Sequence, residues 1–389
     1  MKKETLVNHP PPAEPPAGNR PLVAPIYQSV KFEFEDLEHT LAHLRGEEAG
    51  YWYSRSANPT TRQLELTLAQ LQGREDCLVT ASGAGAVAQT LLGLSSQGEH
   101  VLCFVESYTP TRFFIRRVLA RFGVAHTLLS IEDLPGIERT LAERPTRLVV
   151  FESPTNPVTK VADIAALTRL AHAHGALAVL DNTFAGLHQH GDYEVDVYLH
   201  SLTKFASGTG DVLGGAVIAR AEIISKLRTD FAVLGGTLDA HAAYLVQRGL
   251  KTYFVRYRTQ SASALALAER LAAHPAVERV HYPGLPSHPQ HALARAQMRE
   301  FGAIVSLDLK GGEAAASRFV DALELFAITA SLGSTESLAL PPQILRGRDF
   351  SAEQQRISGI GDGTVRLAIG LEDPEDLARD VTRALEAAG

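Results

Sequence analysis

The sequence predicts an α/β chain of two domains, a large one built on a mostly parallel sheet and a smaller α+β one after it. Three observations carry this. From about residue 60, short runs that are apolar on both faces alternate with helical stretches, the pattern of strands covered on both sides by helices. A length of 389 residues exceeds what one core commonly organises. Beyond Arg248–Thr252 the pattern changes to a long alanine-rich helix followed by shorter elements.

In chain order, residues 9–21 come first as a proline-rich stretch, which removes backbone donors and fixes φ, so neither helix nor sheet is expected there. We expect an N-terminal arm over residues 1–45, with 1–20 disordered. The strand-like runs that follow are Cys77–Thr80, Val101–Val105, Leu148–Phe151, Leu177–Leu180 and Gly215–Ala219, inside a large domain over 46–247. The alanine-rich helix runs to about Ala273, and Ala303–Leu309 and Thr364–Ile369 supply strands to a small domain over 248–389.

Composition narrows the function classes. Hydrophobic residues make up 45% and charged ones 21%, with a net charge of −7. That charge offers nothing to nucleic acid or an anionic membrane surface. No apolar run approaches the ~20 residues of a spanning helix. Met1–Glu4 is followed by polar residues and prolines, so no secretory signal is expected. Cys77 and Cys103 both sit in apolar strand-like runs, which suggests a reducing compartment, the cytoplasm.

Open parallel sheets bind ligands at the carboxyl ends of their strands. Those ends carry distinctive residues here. The run 77–80 leads into small residues around Gly83 and Ala84 and then a helix, an arrangement that suits a phosphate. Tyr108 follows the second run, Asn156 the third and Asp181 the fourth, and Ser201, Thr203 and Lys204 fall within four residues. Together they make a parts list for pyridoxal phosphate (PLP). An amine carries the cofactor, a carboxylate pairs with its ring nitrogen, an aromatic ring stacks on its face, and hydroxyls with backbone N–H groups hold its phosphate.

Two other readings compete. Gly83–Ala88 matches G-x-G-x-x-A after a strand and before a helix, with Glu106 ending the next strand, as in a dinucleotide-dependent oxidoreductase. That reading leaves Asp181, Lys204 and Asn156 unexplained. His281, His288 and His291 suggest a metal, but they lie in a proline-rich connection without acidic partners, so no metal is expected.

Beyond single residues, the chain resembles the PLP enzymes of cysteine and methionine metabolism. This trans-sulfuration group includes cystathionine γ-synthase, cystathionine β- and γ-lyases and methionine γ-lyase. The resemblance rests on Ala24–Gln28, Tyr53–Thr60, Asp181–Thr183, Ser201–Lys204, Arg248–Thr252, Tyr282–Leu285, Ser331–Leu338 and Val365–Asp373. It implies an aspartate-aminotransferase-like fold (fold type I), with Lys204, Tyr108 and Asp181 as catalytic residues. It gives the cofactor phosphate to Ser201, Thr203 and the Gly83–Ala84 backbone, and the substrate carboxylate to Arg366, Ser331 and Asn156. Guanidinium meets carboxylate bidentately, which suits Arg366 to that task. Tyr53 and Arg55 are implied to reach a neighbouring subunit's phosphate, in a homotetramer built as a dimer of dimers.

The implied reaction forms or cleaves a C–S bond of a cystathionine-type amino acid, with a methionine γ-lyase or other thioether lyase as the alternative. Whether sulfur is added or removed stays open, as does the choice between β- and γ-chemistry. Ala330, Pro110, Leu332 and Thr209–Gly210 depart from patterns common in the group, and so does Pro341–Arg348.

Overall fold

The computed structural model describes residues 18–346 and 350–389. Most of the stretch expected to be disordered, 1–20, lies outside the described residues; 18–21 form neither helix nor strand. Among its described residues the expected arm contains a helix, Leu37–Leu44, capped by the Asp36 carboxylate.

Seven strands build the large sheet: β1 (Asp76–Thr80), β2 (His100–Phe104), β3 (Ala125–Leu129), β4 (Thr146–Glu152), β5 (Leu177–Asp181), β6 (Val197–Ser201) and β7 (Gly215–Ala219). Their order is β1-β7-β6-β5-β4-β2-β3. Only β7 runs antiparallel to its neighbours, β1 and β6. Two strands, β3 and β6, escape the sequence pattern. The first is partly exposed along its length, and the second interrupts its apolar residues with His200 and Ser201.

Alternation explains why these strands read as continuous apolar runs. On β2, Leu102 and Phe104 face one core while Val101 and Cys103 face the other; on β4, Val149 and Phe151 oppose Leu148 and Val150 in the same way. Both faces are buried under helices, as parallel sheets require. Each fully buried side chain of this size contributes about 1.5–3 kcal/mol relative to exposure.

The small sheet comprises β8 (Val277–His281), β9 (Ile304–Leu309), β10 (Ala327–Ile328), β11 (Leu338–Leu340) and β12 (Thr364–Ala368), in the order β10-β11-β12-β9-β8. The alanine-rich helix, Tyr253–Ala272, precedes it. Val305, Leu307, Val365 and Leu367 join the same core that covers one face of the large sheet. The Ser306 hydroxyl donates to the Pro157 carbonyl at 2.7 Å, tying β9 to the turn after β4. The carboxyl ends of β4, β5 and β6 therefore meet the edge of the small sheet.

The dinucleotide alternative fails on topology. It needs β1 and β2 side by side in a βαβ unit. Here β1 lies at the sheet edge, and β7, β6, β5 and β4 separate it from β2. Glu106 is engaged elsewhere, accepting from Ser130 at 3.0 Å and Lys160 at 3.1 Å.

Candidate active site

A cavity of about 1130 Å³ opens where the strand ends meet the small sheet. It is lined by Gly83, Ala84, Tyr108, Asn156, Asp181, Ser201, Thr203, Lys204, Ser331 and Arg366, ten of the twelve residues singled out from sequence. Tyr53 and Arg55 are not among them. Both are exposed, with the Arg55 guanidinium 5.7 Å from the Tyr53 ring centroid.

One end of the cavity is made of backbone. Helix Gly83–Leu94 begins there, and the Ser82 hydroxyl caps it by accepting from Gly85 N at 3.0 Å. The N–H groups of Gly83 and Ala84 have no carbonyl within the helix to reach, so this end attracts an anion. Gly83 is required by proximity, since a Cβ there would stand 2.8 Å from Ser201 Cβ. Thr203 Oγ1, also on the cavity wall, accepts from Gly214 N at 3.2 Å.

The floor is carboxylate. Asp181 and Glu152 are register partners on β5 and β4 and both line the cavity. Asp181 Oδ1 accepts from Thr183 Oγ1 at 2.6 Å and Thr183 N at 3.1 Å, and that hydroxyl in turn accepts from Ser201 N at 2.9 Å. Burial raises the Asp181 carboxyl above the usual range, against the lowering effect of the Thr183 bonds. Burial raises Glu152 as well, and the Asp181 charge adds to it.

Lys204 faces this floor, its ammonium donating to Ser331 Oγ at 2.7 Å. Burial, with the charge of Arg366, lowers its pKa to about 8. Close packing fixes this contact from below. Gly333, at φ +75°, lies where a Cβ would come within 2.7 Å of Phe205 N, so only glycine lets the 331–333 loop approach the Lys204 backbone. Ser331 itself adopts φ +100°, a left-handed conformation costly for a residue with a side chain.

Arg366 completes the wall. Its guanidinium donates to Asn156 Oδ1 at 2.9 Å and to the Ser331 carbonyl at 2.7 Å, while its Nε is buried without a partner. The residue is only 4% exposed, and burial pulls its pKa down to about 10. A surface pairing with Glu372 or Asp373 does not occur: Glu372 accepts from Ser337, and Asp373 caps helix Pro374–Ala388. A buried cation with no anionic neighbour is costly, and a bound carboxylate would offset that cost.

The donor set fits PLP. A helix end with two hydroxyls suits a phosphate, the buried Asp181 carboxyl suits a ring nitrogen, and a depressed lysine suits a carbonyl carbon. Glu152 and Thr183 belong to this site although sequence reasoning assigned them no role. A carboxylate closing a buried apolar strand was the available signal for Glu152. The three histidines of the proline-rich connection are occupied otherwise. His281 bonds Asp308 at 2.7 Å, His291 bonds the Pro283 carbonyl at 2.8 Å, and His288 accepts from Gln290 N at 3.2 Å. Among the described residues no group of three or more His, Cys, Asp or Glu could hold a metal ion, and no helix is long and apolar enough to cross a membrane.

Comparison with known proteins points the same way. Residues 4–386 match the family model described as Cys/Met metabolism PLP-dependent enzyme. The chain is 40% identical to L-methionine gamma-lyase of Pseudomonas putida over 370 residues, 94% of this chain and 93% of that one. It is 41% identical to O-succinylhomoserine sulfhydrylase of Pseudomonas aeruginosa over 365 residues, 93% and 90% of the two chains. The crystal structure of cystathionine gamma synthase from Xanthomonas oryzae pv. oryzae in complex with cystathionine superposes with a TM-score of 0.88 at 36% identity, covering 94% and 92%. The fold is thus the fold type I architecture that the resemblance implied. With matches of this breadth, the chain belongs to the Cys/Met metabolism PLP-dependent enzymes, which form or cleave carbon–sulfur bonds.

Proposed function

We propose that this enzyme grips an α-amino acid by its carboxylate on Arg366 and makes or breaks a C–S bond in that amino acid's side chain. One observation carries the proposal: Arg366 is buried without an acidic partner and is linked through Ser331 to the Lys204 amine. The path is short, 2.7 Å from guanidinium to the Ser331 carbonyl and 2.7 Å from the Ser331 hydroxyl to Nζ.

PLP, when bound, supplies the electron sink that makes a carbon-bound proton of the substrate acidic. The chain's own residues do the rest. Lys204 would carry the cofactor, and its free amine would take and return protons at the substrate carbons. An amine whose pKa lies near 8 exchanges protons readily near neutrality. Asp181 holds the positive charge of the ring nitrogen. Gly83 and Ala84 N–H, with the Ser201 and Thr203 hydroxyls, take the phosphate. Tyr108, on the cavity wall, would stack on the ring and assist the sulfur group as it leaves or arrives. Asn156 and Ser331 orient the Arg366 fork, so carboxylate and amine are held at two points and the Cα–H bond has one direction.

Tyr53 and Arg55 act in a neighbouring subunit's site, within a tetramer built from two such dimers. Their exposure and the exposed Tyr27, Val30 and Trp52 nearby in sequence support this. The cytoplasm, with its reduced thiols, suits the buried, unpaired Cys77 and Cys103.

The first reading of the substrate is cystathionine-type. A second is favoured by the cavity wall, where Val87, Phe113, Phe114, Val118, Leu213 and Ile344 give an apolar lining. The other cation on the described wall, Arg346, is paired with Glu313 and Asp362. An apolar wall suits a thioether with an uncharged tail better than a second zwitterion. Incubation with cystathionine, methionine, and O-succinyl- or O-acetylhomoserine plus cysteine, with identification of the oxoacid or thioether formed, separates the readings. Turnover of cystathionine in preference to methionine upholds the first, the reverse upholds the second, and no C–S product from any of them overturns both.

A further inference from the structure

Glu152 has a place in this site that the proposed chemistry does not use. It closes β4 beside Asp181 on β5, is buried, and lines the cavity. Its carboxyl accepts the backbone N–H of Tyr108 (Oε1) and that of Asn156. Those two residues come from different segments and face different parts of the site. Tyr108 presents its ring at the end of β2, and Asn156 presents its amide to Arg366. One carboxyl therefore sets the position of both relative to the strand that carries Asp181.

Charge decides its protonation. Among the described residues, the charged and titratable groups facing Glu152 are Asp181 from β5, and Tyr108 and Arg112 from the segment after β2. Arg112 donates to the Val105 and Ser107 carbonyls and to Thr109 Oγ1. Lys204 and Arg366 line the same cavity beyond Asp181. Two carboxyls on paired strands, one buried and one half-buried, do not both ionise readily, which favours a single proton held by the pair. Hydrogen bonds favour both anions, from Thr183 on Asp181 and from backbone N–H groups on Glu152; a ring cation beside Asp181 would tip the balance and leave the proton with Glu152.

We propose that Glu152 is a positioning residue of this site, fixing Tyr108 and Asn156 through their backbone N–H groups, and that before the cofactor binds it is the proton-bearing member of a carboxyl pair with Asp181. The proposal rests on Asp181 being the partner of the cofactor ring nitrogen. Linkage gives its sign. Bound cofactor places a cation beside the pair and lowers Glu152's proton affinity. Glu152's part of the proton exchange on PLP binding is then a release, added to the proton that Lys204 sheds in taking the cofactor, and its contribution to affinity rises with pH through the window between the bound and free pKa values of Glu152.

Two substitutions separate position from titration. Glu152→Gln keeps an acceptor for Tyr108 N–H and removes the proton. Glu152→Asp keeps an ionisable carboxyl but withdraws it by one methylene. Proton release on adding PLP to apoenzyme is measured by calorimetry in buffers of different ionisation enthalpy at pH 7.5, and KM and kcat are measured on the loaded enzymes. Glu152→Gln is expected to release fewer protons than wild type, with KM within about threefold. Glu152→Asp is expected to release protons as wild type does, with KM for the amino acid raised about tenfold and kcat changed less. Equal proton release by wild type and Glu152→Gln overturns the protonation, and unchanged KM in Glu152→Asp overturns the positioning. Loss of PLP affinity in Asp181→Asn marks the ring-nitrogen reading as sound; unchanged affinity there, with Glu152 behaving as proposed, sinks that reading alone.

Discussion

The two halves of the cavity are built by different means. The cofactor half consists of β-strand ends and a helix N-terminus: Gly83 and Ala84 after β1, Asp181 closing β5, and Ser201 closing β6 with Thr203 and Lys204 just beyond. Regular backbone fixes all of these but Thr203 and Lys204, which lie in the turn directly after β6. The substrate half has no such frame. Asn156 sits in a turn after β4, Ser331 in a loop with a left-handed backbone, and Arg366 in the middle of β12. What joins them is a pair of hydrogen bonds spanning 210 and 35 residues. The comparison teaches that cofactor retention should survive damage to the substrate half, and that substrate handling depends on how the small sheet docks.

The largest effect tests the cofactor half. Lys204→Ala removes the group expected to carry PLP, so steady turnover and the lysine-linked chromophore should both vanish. Arg55→Ala should weaken cofactor retention by the roughly 1.5–3 kcal/mol of a charge-assisted hydrogen bond. At PLP concentrations too low to load Arg55→Ala alone, mixed dimers of the two variants should recover activity, because one of their sites has both groups intact. A verified mixed dimer with no activity would show that each chain completes its own site.

The next effect tests whether the halves are separable. Arg366→Lys retains the charge and loses the fork that meets a carboxylate bidentately. A misplacement of about 1 Å can cut a positional contribution ~100-fold. We expect kcat/KM with amino-acid substrates to fall by about that factor, while PLP affinity and Tm barely change. A parallel loss of PLP affinity would break the comparison, since it would make the substrate half a support for the cofactor half.

The same division governs what could be read from the sequence. Residues at the ends of apolar runs stood out because a polar group after a buried strand has few structural reasons to be there. Asp181 and Lys204 are of this kind. The apolar runs themselves gave most of the large sheet; β3 escaped because it is part-exposed, and β6 because polar residues end it. Of the substrate half only Asn156, after the third apolar run, left a local mark. Arg366 looks like any arginine in a strand until Asn156 is seen 2.9 Å away. It was legible only through resemblance. Glu152 stood in plain view at a strand end, but its hydrogen bonds go to backbone N–H groups, which no residue pattern records.

The smallest effect asks whether the halves communicate through charge. Burial is the larger cause of the depressed Lys204 pKa, about 8, and the Arg366 cation is the other. An amine attacks a carbonyl only as the free base. At pH 7 roughly a tenth of Lys204 is in that form, against well under a thousandth for an ordinary lysine. The rate at which apoenzyme captures PLP should therefore climb with pH and level off above about 8. In Arg366→Ala the repelling charge is gone and water enters, and both changes favour the ammonium. The midpoint should move to higher pH, and capture at pH 7.5 should slow. In Arg366→Lys the charge remains, so the midpoint should stay near that of wild type even though kcat/KM has fallen. Stopped-flow capture rates across pH 6.5–9.5 for the three proteins distinguish the cases. A midpoint unmoved in Arg366→Ala would mean that burial alone sets the reactivity of Lys204, and that the two halves share a cavity without sharing a field.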